Sequence, residues 1–168
     1  MAAPTGRAAK RMTETTGYEA QTIHRLLEIS GVPEESSATT RFERNMENPL
    51  EADVIIVDEM SMVDVILMYH LLKAVKKGAR LIMVGDADQL PSVGAGCVLK
   101  DMLKSEVIKT IRLTEIFRQA EESMIVVNAH KINNGLIPEF TGKDSDFFML
   151  TRPNQGQGVR DIMELCVS

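Results

Sequence analysis

The sequence predicts an α/β protein built on a parallel, doubly wound sheet, and three observations predict it. Short runs of strand character recur at 52–58, 80–86 and 109–113, the first two rich in apolar residues. Amphipathic segments of helical period separate them, the alternation expected of a parallel sheet. Polar groups close each run: Asp58-Glu59, then Gly85-Asp86-Ala87-Asp88-Gln89, then Thr114-Glu115-Ile116-Phe117-Arg118-Gln119. An apolar run of this kind reads as a strand buried on both faces. In a parallel sheet all three ends fall on one edge, the rim where open α/β sheets take ligands.

Ala2-Ala3-Pro4-Thr5-Gly6 reads as a strand end and turn, and Gly6 to Thr15 as an Ala-rich helix, basic through Arg7, Lys10 and Arg11. Gly17 stops it, and Thr22 caps a second helix over 23–29. Residues 31–40, with Pro33 and a Ser/Thr cluster, are a loop, and 41–49 an ambiguous polar excursion. After the Asp58 strand comes a helix over about 63–75, with Leu67, Leu71, Leu72 and Val75 at helical spacing and Gly78 as its stop. The strand ending at Asp86 leads into a turn-rich loop over 87–96 and a helix near 98–103. Lys109 to Leu113 is a third strand, 119–133 a helix, 136–146 a connector, 147–150 a last strand, 152–158 a loop and 159–167 a helix. The connector suggests a boundary, with residues 1–135 as the main domain and 136–168 opening a second.

An apolar share of 44% and a charged share of 26% mark an ordinary globular protein rather than a disordered one. Aromatics are scarce, so the eleven Met residues are expected to fill core gaps. No apolar run is long enough to span a bilayer, and no signal-peptide core follows Met1, so no membrane association is expected. Cys97 and Cys166 lack metal-ligand spacing and read as buried thiols in a reducing, cytoplasmic setting. The three His residues are scattered, which speaks against a zinc site. A formal charge of −5 argues against broad, non-specific nucleic-acid binding but leaves room for a local basic site.

An Asp at the end of a buried strand can hold magnesium, and a Glu beside it can orient or deprotonate water. Asp58 or Ser61 could equally be an N-cap for the apolar segment that follows. Taken together, the three strand ends contain what phosphoryl transfer needs: a metal ligand, a water-orienting carboxylate, an amide to sense the γ-phosphate and a guanidinium for developing charge. Two decoys fail. Gly94-Ala95-Gly96 lacks the third glycine of a dinucleotide fingerprint and reads as a turn into the following helix. Thr141-Gly142-Lys143-Asp144 has Asp where a phosphate-binding loop needs Ser or Thr, and Ile137 where it needs Gly.

These segments resemble the RecD/TraA branch of superfamily 1 DNA helicases, the family that includes the exodeoxyribonuclease V α subunit. Ala3-Pro4-Thr5-Gly6-Arg7-Ala8-Ala9-Lys10-Arg11 resembles motif Ia, and Thr22-Ile23-His24-Arg25-Leu26-Leu27 the segment that follows it. Val57-Asp58-Glu59-Met60-Ser61-Met62 resembles motif II, the Walker B element. The string from Val84 to Gly94, with its highly specific GDxDQLPSVG, resembles motif III, and Leu113 to Gln119 resembles motif IV.

The resemblance implies a RecA-like, P-loop NTPase fold and a parent enzyme that is an ATP-dependent 5′→3′ DNA helicase in recombination or repair. It implies that Asp58 holds Mg²⁺, Glu59 positions water, Gln89 senses the γ-phosphate and Arg118 acts as an arginine finger. Gly85 and Asp86 would adjoin the nucleotide, ATP. Pro4, Thr5, Gly6 and Arg7 would meet the backbone of single-stranded DNA, with Thr22 and His24 on the same track. For His24, a satisfied, partly buried histidine is an equal reading. Other recombination or repair subunits are implied as partners.

One departure from the family pattern is large: GxxxxGK[ST], the loop that grips the β- and γ-phosphates, occurs nowhere in the chain. The chain therefore reads as an excised middle piece or truncated product of a longer helicase, expected to bind ATP weakly and hydrolyse essentially none. An exposed sheet edge would favour self-association. A non-catalytic DNA-binding or interaction module derived from such a helicase is the alternative. A superfamily 1 RNA helicase fits the Pro4-Thr5-Gly6-Arg7 and Gln89-Leu90-Pro91 segments less well.

Overall fold

A computed structural model describes residues 1–29, 42–113, 123–140, 142 and 145–167. The chain forms two compact units, residues 1–111 and 112–168. The loop expected over 31–40 and the motif IV segment from Thr114 to Gln119 lie outside the described residues.

The first unit is an open parallel sheet. Its strands are β1 (Ala2–Ala3), β2 (Gln21–Thr22), β3 (Val54–Val57) and β4 (Arg80–Met83), in the order β2-β1-β3-β4. Every pairing is parallel, with Ala2 opposite Gln21 and Val57, and Val54 through Val57 opposite Arg80 through Met83. The expected α/β class is borne out. Helices α1 (Gly6–Thr16), α2 (Ile23–Leu26) and α3 (Val65–Ala74) lie between the strands, and α4 (Val98–Ser105) follows β4.

Local chemistry sets the helix ends. Thr5 caps α1 by accepting from the Ala8 amide (3.3 Å), and Gly17 ends it at φ 74°, where a Cβ would be strained. Thr22 caps α2 through the Arg25 amide (3.2 Å), but the helix closes at Leu26 rather than Ile29, because Glu28 turns left-handed at φ 54°. The cap of α3 is neither Asp58 nor Ser61 but Asp64, whose Oδ1 accepts from the Leu67 amide at 2.7 Å.

The core gathers on one face of the sheet. Ile55 and Val57 of β3 pack with Ile23 and Leu27, with Leu67, Met68 and Leu71 of α3, and with Met60 and Val63. Burying each of these large side chains contributes about 1.5–3 kcal/mol. Met60 and Met68 fill gaps as expected, whereas Leu72 faces solvent and Met68 takes the core position in its place. The opposite face of β3–β4 is only partly covered, with Val54, Ile82 and Val84 about half exposed, so burial on both faces does not hold for these strands.

Three further expectations are corrected. Lys109 to Leu113 forms no strand: no neighbouring strand offers it a ladder among the described residues, and Ile111 and Leu113 stand in solvent. Phe147 to Leu150 is likewise not a strand; Phe147 instead stacks on Phe140 at 5.6 Å. Cys97 and Cys166 are exposed rather than buried. Among the described residues, no helix is long and apolar enough to cross a membrane.

The second unit contains α5 (Met124–Asn133) and α6 (Gln155–Val167). The latter starts inside the expected loop because Asn154 Oδ1 accepts from the Gln157 amide at 3.1 Å. Fully buried Asn128 on α5 holds the connector with both ends of its amide, donating to Glu139 O (2.8 Å) and accepting from Glu139 N (2.7 Å). Lys131 adds an ion pair to Glu139.

Candidate functional site

Because all four strands run parallel, their C-terminal ends share one edge. Three of the turns that leave it are stitched together by backbone hydrogen bonds. The Asp58 amide donates to Ala2 O (3.0 Å), the Val84 amide to Val57 O (2.8 Å), and the Met60 amide to Val84 O (3.0 Å). This brings Pro4-Thr5-Gly6, Asp58-Glu59 and Gly85-Asp86 side by side.

Asp58 and Glu59 are both half-buried at the end of β3. Asp58 Oδ1 accepts from the Glu59 amide at 2.8 Å, and no hydrogen bond reaches its other oxygen among the described residues. Glu59 sits at φ 55°, ψ 42°, left-handed for a residue with a Cβ, as it turns into a one-turn 3-10 helix, Met60–Met62. Such a backbone costs roughly 1–2 kcal/mol and is kept where the surroundings impose it. Here the Met60 bond to Val84 and the Asp58 bond to Ala2 fix the chain on both sides of Glu59.

The motif III segment is docked on this turn by close backbone approaches. A Cβ on Gly85 would lie 2.9 Å from the Met60 nitrogen and 3.0 Å from Leu99 Cδ2, so this glycine is required by packing within the protein. A Cβ on Gly94 would meet the Asp64 carboxylate, and one on Gly96 would lie 3.2 Å from Val65 Cβ. The Val65 amide donates to Ala95 O at 3.0 Å. Between these anchors Asp86 is exposed, with its Oδ1 accepting from the Asp88 amide (2.9 Å). Gln89 is exposed too, held through its backbone amide to Asp86 O (3.3 Å).

Of the residues expected to meet DNA, Pro4 and Thr5 are half-buried, while Gly6 and Arg7 are exposed at the start of α1, where open amides favour an anion. Thr22 spends its hydroxyl oxygen on the α2 cap. His24 is exposed, with its ring 6.0 Å from Phe42, which also meets His70 at 4.8 Å. Arg118 lies outside the described residues.

A hard cation fits Asp58, whose carboxylate is held in place by one amide and keeps an oxygen that no hydrogen bond reaches among the described residues. No group of three or more His, Cys, Asp or Glu side chains clusters as a metal site among the described residues, so phosphate oxygens and water would complete the shell. Sequence reasoning missed Asp64, which caps α3 and backs the motif III loop. The signal for Asp64 was available, since it stands directly before the first helical residue, Val65.

Residues 1–95 match a family model described as an AAA domain. The chain is 41% identical over 143 residues to the ATP-dependent RecD2 DNA helicase of Deinococcus radiodurans, a match covering 85% of this chain and 19% of that protein. It is 44% identical over 120 residues to the RecBCD enzyme subunit RecD of Mycolicibacterium smegmatis, covering 62% and 21%. It is 33% identical over 96 residues to the ATP-dependent DNA helicase dda of Enterobacteria phage T4, covering 57% and 22%. The chain thus spans about a fifth of the length of the curated relatives it matches.

Proposed function

The chain belongs to the AAA domain family, its relatives bear out the RecD-type helicase resemblance, and on that premise we propose that it is part of an ATP-dependent DNA helicase. In this reading the motor couples ATP hydrolysis to 5′→3′ movement on single-stranded DNA in recombination or repair. Other subunits of such a machine are the implied protein partners. The observation that carries the reading is the stitching of Pro4-Thr5-Gly6, Asp58-Glu59 and Gly85-Asp86 along one sheet edge.

Asp58 would ligate Mg²⁺, and that ion would spread the charge of the β- and γ-phosphates when nucleotide is bound. Glu59, at the left-handed turn after β3, would orient the attacking water and accept its proton. Gln89 would sense the γ-phosphate, and Arg118 would meet the charge that develops there. Thr5, Gly6 and Arg7 would hold a DNA phosphate at the start of α1, pairing open amides with a guanidinium. The docked loop between Gly85 and Gly96 would carry nucleotide state toward this DNA contact.

A second reading has its own observation. No GxxxxGK[ST] occurs in these 168 residues, which favours a non-catalytic, DNA-binding module for the chain by itself.

Fluorescence anisotropy with a labelled oligo-dT strand tests the DNA contact that both readings use. Binding should favour the single strand over duplex. Arg7→Ala should weaken it several-fold and reduce the salt slope by about 0.7 for the lost phosphate contact. Binding that ignores Arg7, or that prefers duplex, would overturn the DNA assignment.

A further inference from the structure

Four rings form a continuous run in the first unit. Phe42 is buried and stands between two histidines, with His24 of α2 at 6.0 Å and His70 of α3 at 4.8 Å between ring centroids. His70 in turn meets Tyr69 edge to face at 5.3 Å. The Lys73 ammonium closes the run, 4.5 Å from the centre of the Tyr69 ring. Backbone bonds fix Phe42 in this place. It bridges Ile29, the Glu43 amide donates to Glu28 O (2.9 Å), and the Arg44 amide donates to Leu27 O (3.1 Å).

Core packing accounts for Phe42, but not for the two ends of the run. Tyr69 is 53% exposed and His24 is exposed too. Single exposed apolar side chains need no explanation, whereas rings in a row with a cation on them present π-faces together with positive charge. Lys73, and the exposed Arg25 next to His24, form no ion pair among the described residues. The Glu28 carboxylate is taken up by Arg44 at 2.8 Å, and Glu43 also acts on that guanidinium. A ligand suited to this surface carries flat π-systems and negative charge along one chain, as a single nucleic-acid strand does. The run also starts at the right edge: Ala3 pairs with Thr22, so α2 begins beside the Pro4-Thr5-Gly6 turn.

We propose that this run is a base-stacking platform for single-stranded DNA, with Tyr69 and His24 as the rings that take nucleobases and Lys73 and Arg25 as nearby charge for its phosphates. The platform rests on the DNA reading of the chain and extends it from phosphate contact to base contact. Stacking accepts every base, so the platform adds affinity without sequence preference, and it discriminates against duplex, whose bases are already stacked on one another.

The test compares oligo-dT with an abasic strand of the same length, which keeps the phosphates and lacks the bases. The chain has no Trp and two Tyr, and Tyr18 is 75% exposed, so Tyr18→Phe leaves Tyr69 as the one emitter at little structural cost. Oligo-dT should quench that emission, after correction for its own absorption, and the abasic strand should bind without quenching. By anisotropy, Tyr69→Ala should weaken oligo-dT about fivefold or more, the loss of one stacked base, and leave the abasic strand unchanged. Tyr69→Phe should keep the preference for oligo-dT, and Arg7→Ala should weaken both strands alike. The quenching assay retains Tyr69, so it decides even where Tyr69→Ala fails to fold. Emission unquenched at saturating oligo-dT overturns the platform while the phosphate contact stands, as does a preference indifferent to Tyr69→Ala. Absence of binding to either strand overturns the DNA reading and the platform with it.

Discussion

Gly94 packs so closely on Asp64 that a Cβ at position 94 would fall 2.7 Å from the Asp64 Cγ. Asp64 is the N-cap of α3, and the same carboxylate therefore faces the helix on one side and the motif III loop on the other. Gly94→Ala should push it off its cap. Loss of the cap costs about 1 kcal/mol, and the clash raises the total to about 1–3 kcal/mol, read as a lower urea midpoint. Asp64→Ser in the same background keeps a capping oxygen and makes room, so it should recover much of the loss. Gly17→Ala is the contrasting control: nothing lies within 4 Å of its added Cβ, and only the φ of 74° is penalised.

Glu59 connects stability to the proposed chemistry. Purified chain should bind Mg-ATP weakly and hydrolyse essentially none, because its residues include no loop to grip the β- and γ-phosphates. A coupled assay that found robust turnover, abolished by Glu59→Gln, would contradict this. Glu59→Gly tests the strain independently. It removes the left-handed penalty and should raise stability by roughly 1 kcal/mol. Glu106→Gly, at φ 54° after α4, should do the same without touching the site edge.

What could be read from the residues follows from how local each signal is. Thr22 and Gly17 act over one turn, and each sits where its cap or stop was expected, whereas Thr5 caps α1 without having been read as a cap and α3 closes at Val75, before Gly78. The Asp58 and Asp86 strand ends were legible because an apolar run ends abruptly in acid. Misreadings came where partners decide the outcome. Ile111 and Leu113 have β-branched or apolar character but no neighbouring strand among the described residues, and Phe147 finds Phe140 instead of a ladder. The glycines at 85 and 94 were legible as motif letters only. Their cause, close contact with Met60 and Asp64, depends on how distant segments dock and cannot be seen in one dimension.

Protonation should loosen the start of α5. Asp146 accepts from the Ser123 hydroxyl (2.5 Å) and from the Met124 amide (2.9 Å). The Ser123 hydroxyl first, and the Ile125 and Met124 amides after it, hold this carboxyl below its usual value despite partial desolvation. A carboxyl lowered in the folded state stabilises above its unfolded pKa, near 4, and that contribution is lost as pH falls through the lower folded value. Protection of the 124–128 amides, corrected for the intrinsic exchange rate, should therefore fall as pH drops below about 4. Asp146→Asn should remove the step; an unchanged pH profile in that variant would refute the assignment.

The half-covered face of the sheet should make the chain self-associate. Register places Ile56 opposite Ile82 and Val54 opposite Arg80, so Val54, Ile56 and Ile82 share one face, and Val84 continues it. Val54, Ile82 and Val84 are 49%, 45% and 47% exposed, and β4 ends the described strand order. An apolar face beside an open edge favours contact with another chain. Light scattering at rising concentration should give masses above the 18.6 kDa of one chain. Ile82→Lys should return the value to that of a monomer while leaving the fold intact, since the position is already wet and a charge on an edge strand opposes pairing. A monomer at all concentrations, or association indifferent to Ile82→Lys, would rule this face out.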